Sequence, residues 1–217
     1  MITRRAFAFG GLAMGLAVSG CMSSTGVQPL GYQPVQALTP SSPEPYNVAP
    51  PDINAIPIEY RRQRVRAPAG YDVGTIVVDT NKRFLYLIQD DGSAIRYGIG
   101  VGREGMSWSG TATIKRKAKW PTWTPPQSMI EREPELVKYA GGMPGGPNNP
   151  LGARALYLYE GGRDTLYRIH GTREARSIGH AVSSGCIRLL NTDVIDLYQR
   201  VPIGTKVVVL QHVGAAA

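Results

Sequence analysis

The sequence predicts a mainly β protein, a sandwich or barrel-like core of strands with a few short helices. Short runs rich in Val, Ile, Leu and Tyr recur after residue 70, and clusters of Asn, Asp and Gly separate them. Helical periodicity is rare by comparison. The 217-residue chain is long enough for one such domain of about 140 residues with additional tails.

The first 20 residues predict a secretory signal peptide. Arg4 and Arg5 precede an apolar stretch that is interrupted by glycines and is too short for a membrane span of roughly 20 residues. The stretch ends in Val18-Ser19-Gly20-Cys21, which resembles the lipobox of bacterial lipoproteins. That resemblance implies lipidation of Cys21 and a lipid-anchored location in the periplasm or cell envelope. The paired arginines also fit a twin-arginine signal, so the export route stays open.

Residues 21–69 predict an extended tether. Prolines are frequent in this stretch, and Pro50-Pro51 stand next to each other, whereas hydrophobic periodicity is weak. We therefore expect a disordered or polyproline-like segment. A folded domain over residues 70–211 and a short tail over 212–217 complete the expected organisation.

The elements of the domain follow from local patterns. Asn81-Lys82 and Asp90-Asp91-Gly92 predict turns between the first three strands. Asn191-Thr192-Asp193 predicts the cap of a helix that ends before Pro202, and a shorter helix is expected over Pro134–Ala140. The expected strands are Thr75–Asp79, Arg83–Ile88, Ala94–Val101, Ala112–Lys119, Ala155–Tyr159, Leu166–Ile169 and Thr205–Leu210.

The charge of the chain favours an anionic partner. The formal net charge is +8, and removal of Arg4 and Arg5 with the signal peptide lowers it by two. A cell envelope supplies anionic wall and lipid surfaces to a basic exported protein. Nucleic acid is excluded as a partner because it lies on the other side of the membrane.

One glycine motif does not indicate nucleotide binding. Gly100-Val-Gly102-Arg-Glu-Gly105 has the spacing of a dinucleotide-binding turn, but the residues that follow do not predict a helix. Trp120 also stands near the position where such sites carry an acid. We therefore interpret these glycines as a tight turn between strands, and no cofactor is expected.

Cys186 is a candidate nucleophile. The chain has two cysteines, so lipidation of Cys21 would leave Cys186 as the only free thiol in an oxidising compartment. His170 lies upstream and can take the thiol proton to form a thiolate–imidazolium pair. The alternative is a small buried residue with no chemistry. No metal site is expected, because three histidines and one cysteine offer few ligands at zinc spacing.

Residues around this pair suggest supporting roles. Gly185 allows a tight bend that exposes Cys186 and directs backbone N–H groups toward a substrate oxyanion. Arg188 lies two residues later, on the same face of an extended strand, where it can hold a substrate carboxylate. The third group of the site can be Glu174 or the carbonyl of Gly171, which can fix the tautomer of His170.

The segment from His170-Gly171-Thr172 to Ser183-Ser184-Gly185-Cys186-Ile187-Arg188 resembles the signature of the L,D-transpeptidases with a YkuD-type catalytic domain. The similarity continues at Asn191 and Asp193, at Gly74–Asp79 and at Pro147–Gly152, and it covers roughly residues 70–210. Trp120–Pro126, which includes Trp123, resembles the family's segment beside the active-site cleft. Ser184 departs from the pattern, because many members carry histidine there.

The resemblance implies an L,D-transpeptidase catalytic fold and peptidoglycan chemistry without a cofactor. It implies that Cys186 is the nucleophile, that His170 is the base and that the Gly171 carbonyl orients the imidazole. It further assigns the substrate site and oxyanion surroundings to Ser183, Gly185, Arg188, Asn191 and Trp123.

Three functions remain open at this point. The first is a transpeptidase that releases D-alanine from tetrapeptide stems and joins the acyl group to another stem, forming a 3→3 cross-link, or to an envelope protein. The second is an L,D-carboxypeptidase that transfers the acyl group to water. The third is a non-catalytic wall-binding lipoprotein, although a binder has no use for a reactive thiol.

Overall fold

The structure is a computed structural model that describes residues 35–40, 43–103, 108–183 and 185–210. The expected signal peptide, the lipidation site Cys21 and the tail 212–217 lie outside the described residues. In the described ranges, no helix has the length and the apolar composition that a membrane crossing requires.

Strands dominate the described residues, as the sequence predicts. Two α-helices are present, α1 (Gln127–Arg132) and α2 (Asn191–Arg200), together with short 3₁₀ helices. The strands are β1 (Gln63–Arg66), β2 (Ile76–Asp79), β3 (Phe84–Ile88), β4 (Ser93–Gly98), β5 (Val101–Gly102), β6 (Gly110–Lys119), β7 (Arg154–Glu160), β8 (Arg163–Thr172), β9 (Ala181–Ser183), β10 (Ile187–Leu190) and β11 (Lys206–Val209).

Nine of these strands form one mixed sheet in the order β1-β4-β3-β2-β11-β6-β7-β8-β10. Only the β8–β10 and β2–β11 pairs are parallel within it. β5 and β9 form a separate parallel pair. The predicted turns are confirmed: β2, β3 and β4 are consecutive antiparallel neighbours, and the Asp79 carboxylate accepts a hydrogen bond of 2.8 Å from the Lys82 N–H in the first turn.

The sheet curves around one main apolar core, and two smaller buried clusters accompany it. Leu85 on β3 and Leu189 on β10 belong to the same buried cluster although they lie toward opposite ends of the sheet. Helix α2 adds Val194 and Leu197 to this cluster, and Tyr198 packs against it. The amphipathic face that the sequence predicted for this helix is therefore confirmed.

The start of α2 differs from the expected cap. Leu190 is the N-cap residue, and no side chain caps the helix. The Asn191 Oδ1 atom accepts a hydrogen bond of 2.9 Å from the Ala153 N–H, and Asp193 forms an ion pair with Arg62. The side chains that could cap the helix locally therefore bind Ala153 and Arg62, which are distant in sequence.

Residues 35–40 and 43–69 pack on the domain, in contrast to the tether expected over residues 21–69. β1 pairs with β4, Ile56 is fully buried, and the Leu38 N–H donates to the Asp196 carboxylate over 2.8 Å. Glu44 forms an ion pair with the buried Arg154. Isolated apolar and charged residues between the prolines make these contacts, and because they follow no regular period they gave no strand or helix signal.

An irregular segment connects β6 to β7. The helix expected over Pro134–Ala140 is a 3₁₀ helix over Pro134–Tyr139, and α1 precedes it without having been predicted. The segment is closed by Asn149, whose Nδ2 donates to the carbonyls of Pro121, Met143 and Pro144 at 3.0 to 3.1 Å.

Candidate active site

The candidate site lies where β7, β8 and β10 run side by side. Residues paired across neighbouring strands project from the same face of a sheet. His170 pairs with Ala155 on β7 and with Arg188 on β10, so the imidazole and the Arg188 guanidinium share one face. Cys186 immediately precedes β10, two residues before Arg188, and an extended chain returns to the same face every second residue.

Cys186 is half-buried at this face. Its Sγ atom lies 4.0 Å from the carbonyl oxygen of Leu166. Burial raises the pKa of the thiol, while the backbone N–H of Arg168 and the charges of Arg168 and Arg188 lower it. The two guanidinium groups therefore act on the sulfur atom of Cys186, as expected if all three share one face.

His170 is buried and held by its neighbour. The Nδ1 atom lies 2.9 Å from the Gly171 carbonyl oxygen. Because a carbonyl only accepts hydrogen bonds, Nδ1 carries the proton and Nε2 is left as an acceptor. Burial lowers the pKa of His170 to about 4, and the charges of Arg188 and Arg168 act in the same direction. The imidazole is therefore neutral at pH 7 and able to act as a base.

These pKa directions change the expected resting state of the pair. A raised thiol pKa and a lowered imidazole pKa favour a neutral thiol and a neutral imidazole at rest. The sequence suggested that the imidazole can take the thiol proton to form a thiolate–imidazolium pair. Burial of both groups is the physical reason for the difference, because a buried site disfavours the charged forms.

Ser183 and Gly185 brace the bend before Cys186. The Ser183 hydroxyl donates to the Cys186 carbonyl over 2.7 Å and accepts a hydrogen bond of 3.2 Å from the Gly185 N–H. The Gly185 N–H is therefore engaged within the bend, and an oxyanion-binding role for the N–H groups of this bend stays a prediction. Ser184 lies outside the described residues.

Two glycines from the rejected nucleotide motif pack against this bend. A Cβ atom on Gly102 would lie 2.7 Å from the Gly185 Cα, and one on Gly100 would lie 2.7 Å from the Ser177 carbonyl oxygen. Gly100 also exchanges backbone hydrogen bonds of 2.8 and 2.9 Å with Arg188. These glycines therefore permit close backbone approach, which extends the sequence interpretation of a simple turn.

Arg188 lines an open cavity of about 450 Å³. The turn Pro147–Pro150 forms one side of it, and Thr172, Arg173 and Glu174 form the other. The Arg188 Nη1 atom lies 3.2 Å from a carboxylate oxygen of Glu174, which is itself largely exposed. Because an exposed partner exchanges readily with solvent, Arg188 can take a substrate carboxylate in its place.

Asn191 and Trp123 lie behind or beside this cavity. The Asn191 amide holds the Ala153 N–H, and a Cβ atom on Gly171 would lie 2.2 Å from the Asn191 Oδ1. Trp123 exchanges backbone hydrogen bonds with Met143, and its ring centroid lies 6.1 Å from that of Tyr139. Neither residue lines the cavity. These contacts hold Asn191 and Trp123 in place, and the substrate-site roles that the resemblance implies for them stay predictions.

The sequence did not predict a second group of side chains, Tyr157, Arg116 and Arg168, in addition to His170 and Arg188. Tyr157 pairs with Arg116 on β6 and with Arg168 on β8. The guanidinium carbons of Arg116 and Arg168 each lie 4.4 Å from the centre of the Tyr157 ring. The sequence carries no periodic signal for this pair, because Arg116 stands in the charged run Lys115–Lys117 and Arg168 follows the polar stretch Arg163–Thr165. In the parts of the chain that the structure describes, no three His, Cys, Asp or Glu side chains converge as a metal site requires.

Comparisons with known proteins agree with this geometry. The family model of the YkuD L,D-transpeptidase catalytic domain matches residues 74–209. The Escherichia coli protein named as a probable L,D-transpeptidase ErfK/SrfK is 38% identical over 143 residues, which cover 63% of this chain and 44% of that protein. The E. coli protein named as a probable L,D-transpeptidase YbiS is 36% identical, with 67% of this chain and 47% of that protein covered. The chain thus spans less than half the length of these curated relatives.

Solved structures are also similar to this chain. A crystal structure from Brucella melitensis, named as a probable carnitine operon oxidoreductase, is 50% identical with a TM-score of 0.50, and covers 73% of this chain and 99% of its own. The structure of the Ldtfm–avibactam carbamoyl enzyme shares the fold, with a TM-score of 0.50, 17% identity and 65% and 50% of the two chains covered. Since the family model extends over more than half of its residues, the chain belongs to the family of YkuD-type L,D-transpeptidase catalytic domains.

Proposed function

We propose that this protein is a peptidoglycan L,D-transpeptidase that works through a thioester on Cys186. The observation that supports this most directly is the placement of His170 and Arg188 as paired residues on one sheet face, with Cys186 two residues before Arg188. A base, a thiol and a carboxylate-binding group at one face are what acyl transfer from a peptide requires. Family membership supports the same class of reaction.

In the first step, the neutral Nε2 of His170 takes the thiol proton while Sγ attacks the carbonyl carbon at the L-centre of diaminopimelate in a tetrapeptide stem. The bond from that carbon to the nitrogen of D-alanine breaks, and the imidazolium returns its proton to the leaving amine. The lowered pKa of His170, about 4, makes this imidazolium a strong acid for that transfer. The Gly171 carbonyl keeps the ring oriented throughout.

In the second step, an amine acceptor attacks the thioester and the bond from the carbonyl carbon to Sγ breaks. The amine loses a proton to His170, which returns it to the leaving thiolate of Cys186. An amine on another stem forms a 3→3 cross-link, an amine on an envelope protein attaches that protein to the wall, and water yields the L,D-carboxypeptidase reaction. Arg188 holds a substrate carboxylate at the cavity in both steps. The transpeptidase reaction is the one proposed, and the carboxypeptidase reaction is its alternative on the same site.

The place of action proposed is the cell envelope. The lipobox-like sequence before Cys21 and the net charge of +8 support a lipid-anchored protein that works on the anionic wall from the periplasm. Replacement of Cys21 by Ala should release the protein from membranes and abolish labelling by palmitate. Retention of the label would show that the anchor lies elsewhere.

Mass spectrometry of the protein incubated with tetrapeptide stems, or with a carbapenem, tests the nucleophile. The full chain carrying Cys21→Ser is the starting point, because Cys186 is then its only thiol. A covalent adduct should form on Cys186 and be absent from Cys186→Ala. His170→Ala should slow adduct formation strongly.

His180→Ala is the matched control for the base. His180 is exposed, so its loss should leave adduct formation unchanged. If neither ligand forms an adduct, a non-catalytic wall-binding protein is the better explanation.

Supplying tetrapeptide stems with and without an amine acceptor then separates transpeptidation from carboxypeptidation, because only a transpeptidase produces the dimer.

A further inference from the structure

Arg168 is held rigidly beside the candidate nucleophile. Its guanidinium donates two hydrogen bonds of 2.6 and 2.8 Å to the two carboxylate oxygens of Asp164, and it stacks on Tyr157. Its side chain is 13% exposed. A cation fixed in this way keeps its position before any substrate binds, which is the condition for stabilising a charge that develops during reaction.

The Asp164–Arg168 ion pair spans an irregular part of β8. Leu166 adopts a left-handed backbone conformation with φ of 64°, which leucine rarely takes. Asp164 accepts a hydrogen bond of 2.9 Å from the Leu166 N–H in addition to its bonds with Arg168. This arrangement holds the Leu166 carbonyl 4.0 Å from the Cys186 Sγ, and the nearby backbone of Arg168 lowers the pKa of the thiol.

We propose that Arg168 is a positioning residue that stabilises the thiolate of Cys186, with Asp164 holding its guanidinium in place. The proposal rests on the nucleophilic role proposed above for Cys186. It extends the site by one row of the sheet, because Arg168 precedes His170 by two residues on β8 and projects from the same face.

Other groups near Cys186 are less suited to this task. Tyr167 interacts with the thiol, Arg103 follows β5 with an exposed side chain, and His170 is neutral at rest. The charge of Arg188 also lowers the pKa of the thiol. Its partner Glu174 is 72% exposed, so this more exposed ion pair is the one that can open to bind substrate. Arg168 is therefore the cation that remains when Arg188 is occupied.

The pH dependence of Cys186 alkylation by iodoacetamide tests this role, in the full chain carrying Cys21→Ser. Arg168→Met keeps an extended side chain over Tyr157 and removes the charge. The midpoint of its profile should rise by about half to one pH unit, with a threefold to tenfold lower rate at neutral pH. Arg168→Lys should recover most of the shift because it restores the charge.

Arg116→Met is the matched control, because Arg116 stacks on the same ring at the same 4.4 Å distance and should leave the midpoint unchanged. An unshifted Arg168→Met profile in a folded protein would overturn the proposal. Failure of Arg168→Lys to recover the midpoint would also overturn it, since a merely structural role of the Arg168 side chain predicts that failure. Alkylation needs no peptidoglycan, so this result is independent of whether the transpeptidase reaction occurs.

Discussion

The imidazole Nδ1 of His170 lies 2.9 Å from the carbonyl oxygen of Gly171, its neighbour in the chain. The orientation of the base therefore depends on how the Gly171 peptide is held. The Gly171 N–H donates to the Leu151 carbonyl over 3.0 Å, and the Asn191 amide packs against the Gly171 Cα so closely that no Cβ would fit. The turn before β7 and the first residue of α2 thus orient the imidazole through one backbone carbonyl.

The first prediction concerns stability in acid. The pKa of His170 is about 4 in the folded protein, against about 6.5 in an unfolded chain. Between these values the unfolded state binds more protons, so the stability that His170 contributes is present above pH 6.5 and is lost as the pH falls toward 4. The free energy of unfolding should fall by roughly 2 kcal/mol between pH 7 and pH 5 from this residue.

Urea unfolding of the wild type and of His170→Gln at pH 7 and pH 5 measures this contribution. It equals the loss of unfolding free energy between the two pH values in the wild type minus the same loss in the variant. The raised pKa of the Asp193 carboxyl acts in the opposite direction, because burial favours its neutral form, but it is present in both proteins and cancels. An equal loss of stability in both proteins between the two pH values would show that His170 is not the acid-sensitive group.

The second prediction concerns the close packing behind the nucleophile. In Gly102→Ala the new Cβ would lie 2.7 Å from the Gly185 Cα, so the bend that carries Cys186 must move. A displacement of this kind should slow adduct formation on Cys186 by about tenfold to a hundredfold, with a loss of about 1–3 kcal/mol in stability. The rate of adduct formation measures the first effect, and denaturant unfolding measures the second.

Gly141→Ala is the control for this substitution. A Cβ atom there meets no atom within 4 Å, so adduct formation and stability should stay close to those of the wild type. Normal adduct formation by Gly102→Ala would mean that the bend tolerates movement, and it would remove the close approach of Gly102 and Gly185 as a constraint on the site.

Much of the sheet could be predicted because its signals are local. The turns near Asn81 and Gly92 and the apolar face of α2 depend on residues close in sequence, and the structure confirms them. The juxtaposition of Arg168 with Tyr157 could not be predicted in this way. It depends on the register between β7 and β8, which shifts at an irregularity between Tyr157 and Tyr159.

The N-terminal segment failed to be predicted for a related reason. Glu44 stands in a proline-rich stretch that has no period, and its partner Arg154 lies on β7, far along the chain. The composition of a segment indicates how much apolar surface it can bury. It does not indicate whether one carboxylate, here Glu44, forms an ion pair with a buried cation far along the chain.

The third prediction concerns that ion pair. Arg154 is 2% exposed, and both of its terminal nitrogens bind Glu44. Glu44→Ala would leave a buried guanidinium with the Ala153 carbonyl as its one hydrogen-bond acceptor among the described residues. We expect a loss of about 3–5 kcal/mol in the free energy of unfolding, because the charge stays buried without its counter-ion.

Asp72→Ala is the control, because Asp72 pairs with Lys206 at the surface, where 54% of the Lys206 side chain and 89% of the Asp72 side chain are exposed. Its loss should cost no more than about 1 kcal/mol. Denaturant unfolding compares the two variants. Similar small losses in both would indicate that residues 43–50 leave the domain readily and that water then reaches Arg154.

The fourth prediction concerns backbone strain at Leu166. This residue has φ of 64° and is 71% exposed, so its side chain gains little from packing while its backbone is unfavourable. Asn is tolerated in this conformation far better than leucine. Leu166→Asn should therefore raise the free energy of unfolding by about 1 kcal/mol. Val137→Asn is the control, since Val137 is comparably exposed in a 3₁₀ helix and should change stability by less than about 0.5 kcal/mol. If Leu166→Asn instead unfolds at a lower urea concentration than the wild type, the leucine side chain makes a stabilising contact beside Cys186 that outweighs the strain.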